Sequence, residues 1–352
     1  MIEEPVDQAF NSGIYRFLAD GVDYRDLKDI RAAVREWSGW GAGWTAAAAK
    51  HVELAEGALA RRRTLTAGEA LWRASLCCHY GQGPLYFDPE QKRTIQKQKE
   101  KLFERAATLL DPPLERVEIP FERTSLPAYL RLPRGARPFP CAILLGGLDT
   151  TKEDYFQFNE LCTRRGLATL AFDGPGQGEM FYRMKWRPDF EKAVFAVIDY
   201  LERRREIDPS RIGIIGRSTG GHYVCKVAAL DQRVKVAVAW GAMYSLRNLP
   251  TTPPIIREGF IFASGSSTVE EATRFYECID LEGVVSGVKC PLLVVHGGRD
   301  VITPPENAEL TVRHAGGPTE LLFYEDSVHC CHDRAHIVRP AMADFLAEHL
   351  VG

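Results

Sequence analysis

The sequence predicts an α/β protein, with a mostly parallel, eight-stranded sheet that carries helices on both faces and an all-helical N-terminal domain before it. Three observations predict this fold. Residues 1–113 show only helical periodicity, short β-type runs alternate with helical segments beyond them, and the later runs are nearly all apolar. Parallel strands covered on both faces have that composition. A length of 352 residues allows one large α/β domain or two domains.

The N-terminal domain carries a helical pattern from its first third. Leu27, Ile30, Val34 and Trp37 recur at steps of three and four residues after Asp23, a candidate cap. The spacing predicts helical structure at these positions.

Further cap signals follow in the same domain. Thr66 and Glu69 have the spacing of a capping box, and Asp88 precedes Pro89, which suits the first position of a helix. The run 111–113, Asp-Pro-Pro, ends the last helical pattern. The sequence therefore predicts a helical domain over 1–113 and a catalytic domain over 114–352.

The predicted strands alternate with helical segments such as 190–204. They lie at 117–119, 128–132, 142–145, 168–172, 212–215, 236–240, 292–295 and 321–324. The connection from 240 to 292 is too long for a simple crossover, and Thr268 with Glu271 supplies a helix-start signal inside it. We expect a partly helical cap insertion at about 244–288, over the active site.

The amino-acid composition limits the classes of partner that the protein is expected to bind. The chain has 45% hydrophobic and 26% charged residues and a formal net charge of −3, so no strong field would gather nucleic acid or an anionic membrane. No apolar segment reaches the roughly 20 residues of a membrane span, and residues 1–5 lack the pattern of a signal peptide. We expect a cytoplasmic protein that acts on small molecules.

The cysteines do not form a metal-binding pattern. There are nine, an odd number, and the pairs Cys77-Cys78 and Cys330-Cys331 are adjacent, which suits neither a zinc cage nor a strain-free disulfide. We expect reduced thiols, and the sequence implies no metal and no organic cofactor.

The stretch Gly216-Arg217-Ser218-Thr219-Gly220 is entered from an apolar run and left into a helical pattern. A turn of this kind holds a serine at the tip of a strand, and its glycines leave room where side chains would collide. The pattern predicts a nucleophile elbow and therefore a serine hydrolase.

An acid and a histidine follow Ser218 in the order that such a site requires. Asp300 comes after the run 292–295, and His329 comes after 321–324. His329 would take the proton of the serine, and Asp300 would fix the imidazole tautomer and stabilise the imidazolium. His332 and His336 are rival bases and Asp326 is a rival acid, while we expect His222 and His296 to be hydrogen-bonded packing residues.

Acyl transfer also needs donors for the developing oxyanion. The backbone amide of Thr219 is one candidate, and the segment Leu145-Gly-Gly-Leu148 supplies the second, for which Leu148 is preferred to Gly147. The run 173–178, Asp-Gly-Pro-Gly-Gln-Gly, lacks the ending of a phosphate-binding loop, so we expect a structural turn beside the active site.

These residues together resemble the α/β-hydrolase superfamily over residues 114–352. The stretches 71–80, 145–153, 172–181 and 329–332 resemble the 2,6-dihydroxypseudooxynicotine hydrolase group, which is related to the FrsA-like esterases and the fungal polyketide-shortening hydrolases. The resemblance implies hydrolysis of a carbon–carbon bond next to a ketone, a helical N-terminal domain packing over the site as a lid, and homodimers.

For an aromatic or polyketide-like β-diketone, the candidate pocket residues are Trp40, Tyr80, Phe181 and Tyr244. A carbanion leaving group needs protonation or stabilisation, yet residues 241–257 contain no Asp or Glu. A carboxylesterase acting on an aryl or lactone ester is therefore the alternative. A non-catalytic binding protein on the same fold is a third reading, against which the intact triad counts.

Overall fold

The computed structural model describes residues 5–351 and divides the chain into two compact units, with the boundary between Arg116 and Val117. Most of the acidic start considered above, residues 1–4, and residue 352 lie outside the described residues.

The first unit is helical. Its α-helices in the described residues are α1 (Val6–Asp20), α2 (Tyr24–Ala33), α3 (Trp40–Ala60), α4 (Thr64–Gln82) and α5 (Pro89–Leu109). The predicted caps at Asp23 and Asp88 are confirmed, because their carboxylates accept from the backbone N–H of Arg25 at 2.7 Å and of Gln91 at 3.0 Å.

Two details of the predicted helices are wrong. α2 ends at Ala33 because Val34 has an extended backbone, and Trp37 belongs to a separate 3₁₀ turn, Trp37–Gly39. The capping box at Thr66 does not form. The N–H of Ala67 already donates to the carbonyl of Arg63 at 3.1 Å, so helix α4 begins at Thr64 and Thr66 lies within its first turn.

The second unit is built around a sheet of eight strands in the described residues, ordered β1-β2-β4-β3-β5-β6-β7-β8. The strands are β1 (Leu114–Phe121), β2 (Thr124–Arg131), β3 (Phe139–Leu145), β4 (Ala168–Phe172), β5 (Ile207–Arg217), β6 (Val234–Trp240), β7 (Leu292–Gly297) and β8 (Thr319–Tyr324). β2 pairs antiparallel with β4, and the pairs from β4 to β8 are parallel. All eight predicted strands are confirmed.

Helices cover both faces of the sheet. They are α6 (Phe156–Thr163), α7 (Glu191–Glu202), α8 (Thr219–Leu230), α9 (Pro254–Ser264), α10 (Val269–Tyr276), α11 (Glu306–His314) and α12 (Ala335–Leu350). On β5, Ile214 joins one apolar cluster with Val194 of α7 and Val224 of α8, while Ile215 joins a second cluster with Met342 of α12. This burial on both faces explains the almost continuous apolar runs of the sequence.

The long connection between β6 and β7 contains α9 and α10. Thr268 caps α10, since its hydroxyl accepts from the N–H of Glu271 at 3.2 Å, as the spacing predicts. The helical content of the insertion is therefore confirmed. Within residues 5–351, no helix has both the length and the apolar composition needed to cross a membrane.

Candidate active site

Ser218 lies between the end of β5 and the start of α8, in a strained conformation with φ 59° and ψ −121°. This region is costly for a residue with a side chain and is typical of functional turns. A Cβ built on Gly216 would lie 2.3 Å from the carbonyl oxygen of Gly220, and one built on Gly220 would lie 2.5 Å from that of Leu145. Only glycine fits at both positions, so the chain has the strand–turn–helix geometry that the motif predicts.

Asp300 and His329 form a hydrogen-bonded pair beyond the ends of β7 and β8. The Nδ1 atom of His329 lies 2.6 Å from Oδ2 of Asp300, whose side chain is buried, while the histidine side chain is 18% exposed. The other carboxylate oxygen, Oδ1, accepts from the backbone N–H groups of Ile302 at 2.9 Å and Thr303 at 2.8 Å. The carboxylate is thereby held in a fixed orientation against the imidazole.

The two partners shift each other's pKa in opposite directions. Burial opposes protonation of His329, but the Asp300 carboxylate outweighs it and holds the pKa of the imidazole well above its ordinary value. Burial likewise raises the pKa of Asp300, yet the charge and hydrogen bond of His329 leave it below its ordinary value. An imidazole that gains basicity from a buried carboxylate is suited to accept a serine proton.

Trp240, the last residue of β6, connects the serine turn to the histidine loop. Its carbonyl accepts from the N–H of Ser218 at 2.8 Å, and its indole Nε1–H donates to the carbonyl of Cys330 at 2.5 Å. Cys330 and Cys331 have positive φ angles of 56° and 48°, so the backbone after His329 is strained. The indole holds that strained loop next to the nucleophile turn.

The candidate oxyanion loop follows β3. A Cβ built on Gly147 would lie 3.2 Å from Cβ of Ser218, so the segment 145–148 runs directly beside the nucleophile. Thr219 is the first residue of α8, and its N–H is one of the helix-start donors that have no partner within the helix. The structure places both segments next to Ser218, and the donor roles of Leu148 and Thr219 stay predictions.

The rival residues have other partners. His222 is buried with Nδ1 3.1 Å from the carbonyl of Met243, and burial lowers its pKa to about 3. His296 is buried with Nε2 2.8 Å from the carbonyl of Thr303. Both are hydrogen-bonded packing residues, as expected. Asp326 is exposed and paired with Arg334, whose NH2 group lies 2.5 Å from its Oδ1.

The two later histidines differ in environment. His332 is buried and packs edge-on against the ring of Trp240, with ring centroids 5.6 Å apart. His336 is exposed at the start of α12. The imidazole that lies 2.6 Å from the Asp300 carboxylate is that of His329.

Two of the predicted pocket residues lie in the second unit. Phe181 stacks on Phe262 of α9 with centroids 4.5 Å apart, and Nζ of Lys185 lies 3.3 Å from the centroid of the Phe181 ring. Tyr244 follows β6, and its hydroxyl lies 2.8 Å from Nδ1 of His314. Both are buried. Their contact with substrate stays a prediction.

The other two lie in the helical unit, within a cluster of aromatic side chains. Nε1–H of Trp40 donates to the carbonyl of Tyr80 at 2.8 Å, and the Tyr80 hydroxyl donates to Oδ2 of Asp20 at 2.6 Å. Trp44 packs against both rings, with centroids 5.8 Å and 5.5 Å away. Their part in substrate binding also stays a prediction.

One group of metal-ligand residue types occurs among the described residues, in the helical unit. Ligand atoms of Asp26, His51 and Cys77 lie within 4.8 Å of one another. His51 Nε2 is only 2.6 Å from Asp26 Oδ2, closer than the roughly 3.3 Å between two ligands of one tetrahedral zinc. Burial raises the pKa of the Cys77 thiol well above its usual range. The arrangement is that of a hydrogen-bonded pair beside a protonated thiol.

Comparison with known proteins shows the family of this chain. A family model of FrsA-like esterases matches residues 26–251. The chain belongs to the FrsA-like esterase family. A model of the prolyl oligopeptidase family also matches residues 155–352 of this FrsA-like protein. It is a hydrolase with the α/β-hydrolase fold.

Relatives of this FrsA-like hydrolase confirm the resemblance seen in the sequence. It is 37% identical to the 2,6-dihydropseudooxynicotine hydrolase of Paenarthrobacter nicotinovorans, over 99% of this chain and 94% of that protein. The crystal structure of 2,6-dihydroxy-pseudo-oxynicotine hydrolase is similar, with a TM-score of 0.89, 35% identity and 96% of each chain covered. Hydrolase ORFZ of Pyricularia oryzae is 34% identical over 64% of this chain and 58% of its own length.

Sequence reasoning missed two residues that the site uses. Thr303 Oγ1 lies 2.9 Å from His329 Nδ1 and 3.2 Å from Asp300 Oδ2, so its hydroxyl contacts both partners. An Asp-x-x-Thr spacing was its only signal, and that spacing is common in turns. Trp240 ends an apolar strand and resembles any core residue in the sequence, since its role depends on contacts with segments far along the chain.

Proposed function

We propose that this protein is a serine hydrolase that cleaves a carbon–carbon bond adjacent to a ketone, in an aromatic or polyketide-like β-diketone. Ser218 is the nucleophile, His329 the general base and Asp300 the residue that orients it. The observation that carries the proposal is the combination of a strained Ser218 at the strand–helix turn with a buried Asp300–His329 pair at 2.6 Å.

The first half of the reaction forms an acyl-enzyme. His329 takes the proton of Ser218 as its oxygen attacks a ketone carbonyl of the substrate, and the resulting oxyanion is stabilised by the amides of Thr219 and Leu148. Collapse of this intermediate restores the carbonyl and breaks the bond to the neighbouring carbon. That carbon leaves with the bonding electron pair and receives the proton from the imidazolium, which gives a methyl or methylene ketone.

The second half uses water. His329 deprotonates a water molecule that attacks the acyl-enzyme, and the serine oxygen leaves with the proton from the imidazolium. The products are a carboxylic acid and a ketone, with one water consumed. In a β-diketone the departing carbon lies next to the second carbonyl, so its charge spreads onto that oxygen as an enolate. This delocalisation lowers the need for an acidic residue that protonates the leaving carbon, and residues 241–257 contain none.

The resemblance to the 2,6-dihydroxypseudooxynicotine hydrolase group supports the carbon–carbon reaction. A carboxylesterase for an aryl or lactone ester is the second candidate. The absence of Asp and Glu from residues 241–257 favours it, because an alkoxide or phenolate leaves more readily than most carbanions. The description of the matching family as esterases points in the same direction.

The nucleophile is tested by labelling with an aryl fluorophosphonate, followed by mass spectrometry of the intact protein and its peptides. We expect one adduct per chain, on Ser218, and none in Ser218→Ala. Ser264→Ala, a change on α9, serves as the control and should label like the wild type. Labelling of Ser218→Ala at the wild-type rate, or a wild type that does not react, would contradict the assignment.

We also propose that the protein is a cytoplasmic homodimer, on the strength of the resemblance to the pseudooxynicotine hydrolase group and of the composition. Sedimentation equilibrium should then give a particle of twice the 39.4 kDa chain. A species with the mass of one chain across the micromolar range would contradict the dimer.

A further inference from the structure

A buried glutamine holds the candidate oxyanion loop. Gln177 belongs to the turn 173–178, and it is 1% exposed. Its Nε2 donates to the carbonyl of Gly146 at 2.8 Å and to that of Gly147 at 2.7 Å, while its Oε1 accepts from the N–H of Gly174 at 3.0 Å. One side-chain amide thus binds two consecutive carbonyls of the segment beside Ser218.

These two bonds fix the direction of the neighbouring amides. In a planar trans peptide the C=O of one residue and the N–H of the next point in opposite directions. With the carbonyl of Gly147 directed at Gln177, the N–H of Leu148 is directed away from it. The same argument applies to the carbonyl of Gly146 and the N–H of Gly147.

Ser218 lies directly beside this loop. A Cβ on Gly147 would be 3.2 Å from Cβ of Ser218, so the loop backbone is within reach of a substrate atom bound to the serine. If the plane of either peptide rotated by about half a turn, a carbonyl oxygen would replace an N–H near the developing oxyanion. The loop would then repel the oxyanion instead of stabilising it.

The turn that carries Gln177 is itself anchored. Asp173 accepts from Nζ of Lys152 at 2.7 Å, from the N–H of Lys152 at 2.8 Å and from the N–H of Glu179 at 3.0 Å. Lys152 follows the oxyanion loop in the chain, and its ammonium group is buried. Both ends of the segment 146–152 are therefore tied to the same turn.

A third contact connects the loop to the nucleophile turn. Nε and NH2 of Arg217 donate to Oγ1 of Thr150 at 3.2 Å and 3.0 Å, and both residues are buried. The loop is therefore held at Thr150 and at Lys152, and Gln177 orients the peptides of Gly146 and Gly147 within a segment that is already fixed.

We propose that Gln177 is a positioning residue that sets the peptide orientation of the oxyanion loop and so directs the N–H of Leu148 at the reacting oxygen. This inference rests on the proposed function, since it presumes an oxyanion on a substrate bound to Ser218. Gln177 does not touch the substrate. It acts through the peptides of Gly146 and Gly147.

Gln177→Glu tests the proposal with almost no change of shape. A carboxylate oxygen in place of Nε2 would face two carbonyl oxygens, so the loop peptides would turn away from their present orientation. We expect kcat to fall by about 10²–10³-fold, the loss typical of one oxyanion donor, with KM changed less than about threefold. Affinity for an aryl trifluoromethyl ketone, which forms an oxyanion on the serine, should fall in parallel with kcat.

Gln177→Leu is the second variant, used also if the glutamate variant does not fold. It removes both donors without adding a charge, and we expect the same kcat-specific loss to a smaller extent. Gln96→Glu is the matched control, because Gln96 is another buried glutamine, on α5, with Nε2 donating to Glu100 at 2.7 Å. It should lower the melting temperature and leave kcat and the ketone affinity unchanged.

The outcomes separate this inference from the proposed function. If the wild type reacts with a fluorophosphonate and both Gln177 variants keep wild-type kcat and ketone affinity, the positioning role is refuted and the triad stands. A rise of KM in both Gln177 variants, without a loss of kcat, would also refute the positioning role. If the wild type fails to react at Ser218, the proposed function itself is refuted.

Discussion

Replacing Asp300 by asparagine changes one atom and, on this structure, reverses the hydrogen bond to His329. Oδ1 of Asp300 accepts two backbone N–H groups, those of Ile302 at 2.9 Å and Thr303 at 2.8 Å. The amide oxygen of Asn must take that position, because an NH₂ group there would face two donors. The amide nitrogen then lies where Oδ2 is now, 2.6 Å from Nδ1 of His329.

That nitrogen can only donate, so Nδ1 must become an acceptor and the imidazole proton moves to Nε2. In this tautomer His329 cannot take the proton of Ser218. The same exchange in a serine protease lowers kcat by about 10⁴, and we expect a loss of about that size here. At about 1.36 kcal/mol for each factor of ten, this corresponds to about 5.4 kcal/mol of transition-state stabilisation. The fold should change little, since the backbone donors and Nδ1 keep hydrogen-bond partners.

The assay is steady-state kcat as a function of pH, together with the melting temperature. In the wild type the basic form of His329 is the active one, and its raised pKa places the acidic limb above pH 6.5, the ordinary value for histidine. Asp300→Asn removes the cause of that rise, so its residual activity should extend to lower pH. Asp326→Asn is the control and should match the wild type. A kcat for Asp300→Asn within about tenfold of the wild type would refute the assigned pair.

Four further changes have defined outcomes. Trp240→Phe leaves the buried carbonyl of Cys330 without its donor, and displacement of the histidine loop should lower kcat by about 10²-fold; Trp186→Phe, which loses an indole bond to Tyr223, should not lower it by more than about threefold. Gly220→Ala would place Cβ 2.5 Å from a backbone oxygen, so we expect a destabilisation of about 1–3 kcal/mol by calorimetry and loss of fluorophosphonate labelling. Thr303→Val should lower kcat by about tenfold without the tautomer change, leaving the acidic limb near its wild-type pH. Phe181→Ala should raise KM for an aromatic substrate while kcat stays within about threefold, and an unchanged KM would remove Phe181 from the pocket.

Most of the sheet could be predicted from the sequence because its inner strands, such as β3, β4 and β7, are buried on both faces. Apolar runs such as 212–215 leave few other structures, and every predicted strand is present in the fold. The ends of the strands are harder to predict from the sequence. β5 begins at Ile207, five residues before the predicted run, since residues 208–211, Asp-Pro-Ser-Arg, belong to the strand although they are not an apolar run.

The helical unit shows where local signals mislead. Asp88 before Pro89 correctly predicts the start of α5, whereas Thr66 and Glu69 have the spacing of a capping box that α4 does not form. The helix had already begun at Thr64. A capping pattern indicates a residue at which a helix can begin, but tertiary context can make the helix begin before that residue.

The candidate triad could be predicted because its members follow strands in a fixed order. The residues that position its surroundings could not be predicted. Trp240 binds the carbonyl of Cys330, 90 positions away in the chain, and Gln177 binds carbonyls of the oxyanion loop 30 and 31 positions away. A hydrogen bond from a side chain to a distant carbonyl leaves no pattern in one sequence. Such positioning residues become visible only when the fold is known.

Hydrolysis of an aryl β-diketone and of an aryl ester of matched shape, by the wild type and by Ser218→Ala, tests the central claim most directly. We predict that the wild type turns over the diketone at least as well as the ester and that Ser218→Ala loses both activities. Cleavage of the ester alone would contradict the carbon–carbon reaction and identify a carboxylesterase. Diketone cleavage that survives in Ser218→Ala would contradict the site itself.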